Sequence, residues 1–358
     1  MNLETNIQAP KTEPNKLNPK NITRLKILGV LFTLLGIGLF AYFIYSVGVA
    51  EILSGIGKIG FGGFALIIFL YFLRILMRAA AWKLSVYEPY KLDLRDTLPA
   101  VIIGEAMSSM IPLGILVSGT TKAVAVRKRV PLVVGLSSIA TENLFYSFAT
   151  ALFIVFGAFA FLRTVELADG WIVTIDALIA VTVFLIFLGI LMIVRQWHFA
   201  SAICDWLYDK NVGKKTLENG RLHVRLFENF IYGFYRRYPR RFLPIFLLQI
   251  VYHLIGIAEV WFVLSKISDV MPSVFSAFLL ESVSRLITIV FKLVPFVIGV
   301  DEAGAQFVGE ALAMGVGVGV TLAIIRKGRI LFWTAIGLIF IVKRGLSFRE
   351  ITEIRREA

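Results

Sequence analysis

Charged side chains and cysteine are both scarce in this sequence of 358 residues. Only 17% of the residues are charged, whereas soluble domains have about 25%, and this composition excludes an ordinary cytosolic enzyme. The single cysteine, Cys204, excludes an intrachain disulfide bond, and no Cys and His residues have the spacing of a metal site. We therefore expect neither a metal nor another cofactor.

Motifs of the known enzyme chemistries are missing as well. Residues 114–121 have the spacing of a phosphate-binding loop, but Thr120 stands where that loop requires a lysine. The sequence contains no G-x-S-x-G or H-E-x-x-H motif and no set of kinase motifs. We expect a protein without enzymatic activity, and an integral membrane enzyme that acts on a lipid headgroup is the weakest alternative.

Long apolar runs are what the sequence has instead. Hydrophobic residues make up 58% of the chain and the mean hydropathy is +0.81. A membrane-spanning helix needs about 20 apolar residues. Runs of that kind occupy 27–49, 61–83, 97–117, 131–161, 171–194, 242–265, 272–298, 301–325 and 330–343. The fold predicted is an all-α, polytopic bundle of an integral membrane protein, with about seven to nine membrane segments.

The polar segments divide the chain. Residues 1–26 lack an apolar period and predict a disordered cytoplasmic tail. The transmembrane domain is expected at 27–343, with a cytoplasmic amphipathic insertion at 195–241 and a charged tail at 344–358. The first apolar run is longer than the core of a signal peptide, which has about 7–15 residues, so it predicts an uncleaved anchor.

The distribution of basic residues predicts a re-entrant hairpin at 97–117. If every run crossed the membrane, the basic segment after this run would face outside, against the positive-inside bias. Pro112 and Gly114 interrupt the run and free backbone groups that only a protein-lined cavity can satisfy. With a hairpin that enters from the cytoplasm, the cytoplasmic segments hold 22 Lys and Arg and the external loops at 49–60, 162–170 and 266–271 hold three. The N-terminus is then cytoplasmic, and the protein is expected to be a multi-pass protein of the cell membrane.

A second interruption, at Pro295 and Gly299, suggests a weak internal repeat. Inverted repeats with broken helices are a recurring plan in transporters. A re-entrant 272–298 places the RKGR segment at 326–329 inside, and a spanning one places it outside. Symmetry favours a second hairpin, which enters from the external side.

Ionisable residues inside apolar runs are costly and are therefore candidates for function. The bases are Arg74, Arg78, Arg285 and Lys292. Arg78 and Trp82 lie four residues apart near the cytoplasmic interface, which favours an interfacial anchor.

Two of the acids have predicted partners. Glu281 and Arg285 are four residues apart and predict an ion pair within one helix. Glu142 has no base nearby in sequence, so it is expected to pair across helices, with Arg74 or Arg285, or to be protonated. His253 is expected to be a core histidine with a hydrogen-bond partner.

The formal net charge is +13. We expect these basic residues to lie in cytoplasmic loops and contact anionic lipid headgroups rather than nucleic acid. Residues 197–240 alternate apolar and basic positions, with Leu222, Leu226, Phe230 and Phe234 at four-residue spacing. Such a helix either lies on the cytoplasmic lipid surface or packs on the bundle as a loop helix. Both alternatives stay open.

Four segments together resemble a known family. They are RILMRAAAWKL at 74–84, IPLG followed by SGTTKAVAVRKR, TENLFYS, and VPFVIGVDEAGAQF at 294–307. Over about residues 25–343 the chain resembles the transmembrane region of lysylphosphatidylglycerol synthases, a flippase-like family. The resemblance implies a domain that translocates or handles lipids, with two re-entrant hairpins meeting in the core. The synthases also carry a soluble aminoacyl-transfer domain. The resemblance here is to the transmembrane part alone, so we expect no synthesis.

The resemblance and the charges together give the candidate site. The headgroup-binding residues expected are Arg74, Lys122, Glu142, Arg285, Lys292 and Glu302, and the backbone of the hairpins is shaped by Pro112, Gly114, Gly119, Pro295 and Gly299. Val117 and Ser118 depart from the family pattern in the first hairpin. The expected partners are membrane lipids, either an anionic phospholipid or a lipid-linked precursor. The alternative is a non-transporting partner of a lipid-modifying enzyme or glycosyltransferase, docked through 197–240.

Overall fold

The protein is described by a computed structural model. It describes residues 48–110, 114–164, 197–210, 232–291, 294–315 and 317–343, with scattered positions at 41–45, 173–195 and 224–229. These residues form helices and no β-strand. The α-helices are α1 (Val49–Leu84), α2 (Leu94–Met110), α3 (Gly114–Ala125), α4 (Leu132–Thr164), α5 (Phe199–Asp209), α6 (Phe242–Ile267), α7 (Val274–Val290), α8 (Val300–Ala311) and α9 (Val318–Lys343).

Within the described residues, three segments are long and apolar enough to cross a membrane, as a helical membrane protein requires: Ile52–Leu84, Leu132–Thr164 and Pro239–Ile267. The predicted run at 27–49 lies almost entirely outside the described residues, as does much of 171–194. The external loop predicted at 49–60 is wrong, because these residues are the first part of α1. The helix bends at Gly60, whose φ of 64° is in the left-handed region that glycine tolerates.

The first hairpin consists of α2 and α3, which end and begin on either side of Pro112. Pro112 itself lies outside the described residues. The two arms pack closely, because a Cβ on Gly104 of α2 would lie 2.6 Å from Cε of Lys122 on α3. The loop predicted at 118–130 is therefore wrong in its first part, where α3 continues to Ala125.

The second hairpin consists of α7 and α8, joined by a 3-10 turn at Pro295–Val297. Phe296 (φ 54°), Val297 (φ 50°) and Gly299 (φ 82°) have left-handed backbone conformations, so the predicted break is confirmed. Glu302 Oε2 accepts a hydrogen bond from the Gly299 N–H at 2.7 Å and so caps α8.

The predicted helix at 301–325 is wrong. Helix α8 ends at Ala311, and α9 begins at Val318, after Gly315 (φ 105°) and Gly317 (φ 80°). The RKGR segment is consequently not a loop on either side of the membrane. Its charged residues lie in the middle of α9 and are buried.

Helix contacts support an internal repeat of two four-helix halves, α1 to α4 and α6 to α9. Exchanging α1 with α6, α2 with α7, α3 with α8 and α4 with α9 maps every substantial helix contact among these eight onto another such contact. For example, α2 packs on α9 as α7 packs on α4, and α1 and α6 pack on each other. The hairpin of each half thus packs on the last helix of the other half.

Both halves contain one crossing between small residues. Gly135 of α4 packs on Ala123 of α3, where a Cβ on the glycine would lie 3.4 Å from the alanine Cβ. Gly319 of α9 packs so closely on Ala305 of α8 that a Cβ would overlap the alanine backbone. These contacts bring the last helix of each half against the second arm of its hairpin.

Candidate functional site

A cavity of about 290 Å³ lies inside the bundle, lined by residues of both hairpins and of α1, α4, α6 and α9. Its charged lining has an excess of cations over carboxylates. The cations are Arg78, Lys122, Arg285, Arg326 and Arg329, and the carboxylates are Glu105, Glu281 and Asp301. The 3-10 turn of the second hairpin contributes Phe296 and Val297, so the strained backbone borders the cavity.

Arg78 is the centre of a hydrogen-bonded cluster on the first-half side. Its guanidinium donates to both carboxylate oxygens of Glu142, at 3.0 Å each, and to Glu105 at 3.0 Å. It also donates to Asn143 Oδ1 at 2.9 Å. Glu142 accepts a further hydrogen bond from Gln249 of α6 at 3.2 Å. Paired in this way, the buried charges stabilise the contacts among α1, α2, α4 and α6.

This cluster corrects two predictions. Arg78 is not an interfacial anchor, because it is only 8% exposed and lines the cavity. Glu142 does pair across helices, but its partner is Arg78 and not Arg74 or Arg285.

Glu281 of α7 is the centre of a second cluster. It accepts hydrogen bonds from Arg74 of α1 at 3.1 Å, from Arg285 at 3.0 and 2.7 Å, and from Arg326 of α9. The predicted pair between Glu281 and Arg285 is confirmed. Three guanidinium groups thus share one carboxylate, which itself is fully buried.

Helix α9 supplies the remaining buried bases. Arg329 pairs with Glu259 of α6, and Lys327 Nζ lies 2.5 Å from Glu302 Oε1 and 4.0 Å from Asp301 Oδ2 on α8. Unpaired buried charges are very costly, so these contacts hold α6 and α8 to α9.

Sequence reasoning missed the α9 bases as site residues. Arg326, Arg329 and Trp333 recur at helical spacing on one face, and all three line the cavity. The signal was present in the sequence, because the glycines at 315 and 317 separate α8 from a second long apolar helix. Starting the helix at these glycines places the RKGR segment within it, where basic residues are functional candidates.

The same α9 face carries hydrogen-bond donors that have no acceptor. Among the described residues, no group accepts from Arg326 Nε, Arg329 Nε or Trp333 Nε1. The three side chains are only 6%, 5% and 9% exposed. A buried donor without a partner costs about 1–3 kcal/mol, so an acceptor in the cavity would gain that interaction if these side chains turn their buried N–H groups toward it.

Tyrosine rings hold the guanidinium groups in place. The Arg78 guanidinium lies 4.3 Å from the centre of the Tyr146 ring, and that of Arg329 lies 4.1 Å from the centre of Tyr71. Arg74 lies 4.3 Å from the Tyr252 ring centre in the same manner. Cation–π contacts and ion pairs together fix the orientation of the donors.

The predicted site residues therefore divide into three groups. Lys122 and Arg285 line the cavity. Arg74 and Glu142 are buried behind the lining and pair with its Glu281 and Arg78. Glu302 is buried too, but it pairs with Lys327, which does not line the cavity. Lys292 lies outside the described residues, as Pro112 does. Of the remaining hairpin positions, Gly114 begins α3, Gly119 lies within it, Pro295 begins the 3-10 turn and Gly299 precedes α8.

Residues 234–241 of the insertion at 195–241 pack on the residues that follow α1. Phe234 is buried against the rings of Tyr87 and Tyr238, and burial raises the pKa of the Tyr87 hydroxyl above its ordinary value. Arg241 donates to the Val86 carbonyl at 3.1 Å and to Glu88 at 2.5 Å. The described residues 232–237 and 239–241 of the insertion are helical and pack on the bundle. The predicted spacing at Leu222, Leu226 and Phe230 falls outside the described residues.

Apolar helices around a buried, charged cavity define the class of a helical membrane protein with a polar internal site. The chain belongs to the lysylphosphatidylglycerol synthase transmembrane region family, whose match covers residues 26–337. The predicted family is thus confirmed over nearly the whole bundle. No curated protein and no solved structure is detectably similar to the chain. In the described residues, no group of three or more His, Cys, Asp and Glu side chains is placed to hold a metal ion.

Proposed function

We propose that this protein binds the charged headgroup of a membrane lipid in the cavity and moves it across the bilayer while the acyl tails remain in lipid. The observation that carries the proposal is the cation-rich lining with three unpartnered N–H donors on α9. A phosphate oxygen is the acceptor that matches guanidinium donors best. The ligand is an anionic phospholipid or a lipid-linked precursor.

The arrangement of the hairpins supports translocation. In the proposed topology the hairpin of α2 and α3 enters from the cytoplasm and that of α7 and α8 from outside, within a multi-pass bundle of about seven to nine segments whose N-terminus is cytoplasmic. Broken helices at membrane depth are tolerated where they line a cavity. In the chain, both breaks lie next to residues that line the charged cavity. The contact symmetry of the two halves supports an internal repeat, and the proposed topology makes that repeat an inverted one.

Each lining group has a proposed role. Arg285, Arg326, Arg329 and Lys122 contact the phosphate. Glu105 and Asp301, which also line the cavity, accept from hydroxyl or amine groups of the headgroup. The protein performs no covalent chemistry in this proposal.

A reconstituted system tests the proposal. Vesicles of phosphatidylcholine with fluorescent phosphatidylglycerol in both leaflets report translocation when a membrane-impermeant reductant quenches the outer leaflet. Replacing Arg326 and Arg329 by Gln is expected to slow movement at least about tenfold, because a hydrogen bond to a charged group contributes about 1.5–3 kcal/mol.

Arg163→Gln is the matched control, because Arg163 is an exposed arginine at the end of α4 and does not line the cavity. It should leave the rate unchanged. Equal rates in the wild type and in the double variant, with all proteins monodisperse, would reject the proposal.

The second candidate function is that of a membrane partner that docks a lipid-modifying enzyme or glycosyltransferase. It is supported by the exposed Arg236, Arg237 and Arg240, on a segment that Arg241 ties to α1. Neutralising these three while keeping Arg241 should then abolish function in cells and leave lipid movement in vesicles intact. Loss of vesicle activity in this variant would count against the docking function.

A further inference from the structure

A second, apolar cavity opens between α4, α6 and α7. This groove has a volume of about 420 Å³ and is lined by apolar side chains, among them Leu152, Phe156 and Leu254, and by His253. Phe156 is 63% exposed and Leu254 is 55% exposed, so the groove opens on the outer surface of the bundle. Both α4 and α6 are apolar enough to cross a membrane, and this surface would face acyl chains there.

A small group of rings connects the groove with the charged cavity. His253 of the groove stacks on Tyr146, with ring centres 6.1 Å apart, and contacts the edge of Tyr252 at 5.2 Å. Both tyrosines line the charged cavity. The two cavities are therefore neighbours across these three side chains.

One polar atom in this wall has no partner. His253 is 2% exposed, and its Nε2 lies 3.1 Å from Thr150 Oγ1. Its Nδ1 is buried and has no hydrogen-bond partner in the described part of the chain. The expected core histidine is therefore only half satisfied, at the boundary between an apolar and a charged compartment.

We infer that the groove holds an acyl chain of the same lipid whose headgroup lies in the charged cavity. The inference rests on the proposed function. The groove accepts a hydrocarbon, the ring wall offers one polar nitrogen, and the cavity offers cations. A glycerophospholipid has this order of groups, with an apolar chain, ester and glycerol oxygens, and an anionic phosphate. Its glycerol region meets His253, and the lipid enters from the bilayer between α4 and α6.

Photolabelling tests this placement. The probe is phosphatidylglycerol with a diazirine midway along one acyl chain, in vesicles of phosphatidylcholine that contain the full-length protein. After irradiation, mass spectrometry of peptides locates the label. Labelling is expected at the groove, around residues 149–156 and 250–254.

Headgroup variants separate a specific lipid from bulk membrane lipid. Arg326→Gln should abolish labelling at the groove and leave labelling around Leu247 unchanged, since Leu247 is 50% exposed on α6 and lines neither cavity. Trp333→Phe removes an N–H that has no acceptor among the described residues, together with part of the indole ring, and keeps an aromatic ring at this position; it should reduce groove labelling. Equal labelling of both regions, unaffected by either variant, is the result of bulk lipid and overturns the inference.

Filling the groove distinguishes this inference from the proposed function. The Leu254→Trp variant should no longer be labelled at the groove and should no longer retain phosphatidylglycerol. It should still bind the water-soluble headgroup probe glycerol phosphate. Leu247→Trp is the matched control on the same helix and should retain both. If Leu254→Trp retains the lipid while Arg326→Gln loses it, the inference fails and the proposed function stands. If Arg326→Gln loses neither the lipid nor glycerol phosphate, the proposed function fails as well.

Discussion

The two halves of the bundle use the same helix contacts with opposite charges. In the first half, Arg78 on α1 pairs with Glu142 on α4. In the second half, the corresponding contact joins Glu259 on α6 with Arg329 on α9. The exchange that relates the halves maps the first contact onto the second. Both halves therefore place a buried ion pair between corresponding helices, with the acid and the base exchanged.

The halves differ in how fully these charges are satisfied. All three nitrogens of the Arg78 guanidinium donate to carboxylate or amide oxygens. On α9, Arg326 and Arg329 each keep an Nε without an acceptor among the described residues. The difference indicates that the Arg78 cluster mainly holds helices together, whereas Arg326 and Arg329, like Arg74 on α1, each keep one buried donor that a ligand could engage.

The largest effect is expected from Glu281→Gln. The change leaves the guanidinium groups of Arg74, Arg285 and Arg326 without the carboxylate that they share. Breaking a buried ion pair costs about 3–5 kcal/mol, so we expect the variant to unfold at a much lower temperature or to fail to accumulate. Thermal unfolding of the purified protein in detergent measures the effect.

Glu142→Gln sharpens the comparison between the clusters. It removes a carboxylate from one guanidinium only, and Arg78 keeps Glu105 at 3.0 Å. The loss of stability should be clearly smaller than for Glu281→Gln. Glu310→Gln, at an exposed position on α8, is the control and should change little. Equal losses at Glu281 and Glu142 would contradict the distinction between the two clusters.

The two small-residue crossings give the next effect. Gly319→Ala places a Cβ on the backbone of Ala305, and overpacking of this kind costs about 1–3 kcal/mol. Gly135→Ala makes only ordinary contact with Ala123, and alanine favours a helix by up to about 1 kcal/mol over glycine. The thermal unfolding temperature should therefore fall in Gly319→Ala and rise in Gly135→Ala. A shift of the same sign in both variants would show that the two crossings are equivalent.

A pair of tryptophans separates stability from ligand binding. The Trp82 indole donates to Ser138 Oγ at 2.9 Å, whereas that of Trp333 has no acceptor among the described residues. Both changes remove the same ring atoms from a buried site and cost stability for that reason. Trp82→Phe also loses a hydrogen bond, so it should be less stable than Trp333→Phe by about 0.5–1.5 kcal/mol and keep its bound lipid. Trp333→Phe should lose bound lipid, which native mass spectrometry of retained lipid detects. Lipid loss in Trp82→Phe alone would place the ligand in the first half.

The smallest effect is expected from Glu88→Gln, which lies outside both buried clusters. Glu88 pairs with Arg241, and its side chain is 50% exposed. Exposed ion pairs contribute about 0–1 kcal/mol, so the thermal unfolding temperature should change little. A shift as large as that of Glu142→Gln would mean that the packing of the insertion on α1 matters as much as the first-half cluster.

Much of the fold follows from local sequence. The lengths of α4 and α6 agree with their apolar runs to within a few residues, and the breaks at Pro112 and Pro295 lie where proline and glycine interrupt the hydrophobic pattern. The boundary between α8 and α9 was harder to place. Residues 311–325 contain no charged residue that would mark a boundary, and although Gly315 and Gly317 stand in the sequence, their positive φ angles become visible only in the folded backbone.

The sequence by itself determined the all-helical class, the two helix breaks, the family and the pair between Glu281 and Arg285. The breaks and the ion pair depend on residues within a few turns of one another, where spacing alone sets the geometry, and the helical class and the family depend on apolar runs and short motifs that are each contiguous in the chain. Only the tertiary structure decided that Glu142 pairs with Arg78, 64 residues away, and that the α9 bases face the cavity. Partners on different helices are chosen by packing, because a buried charge pairs with whichever opposite charge the fold brings within reach.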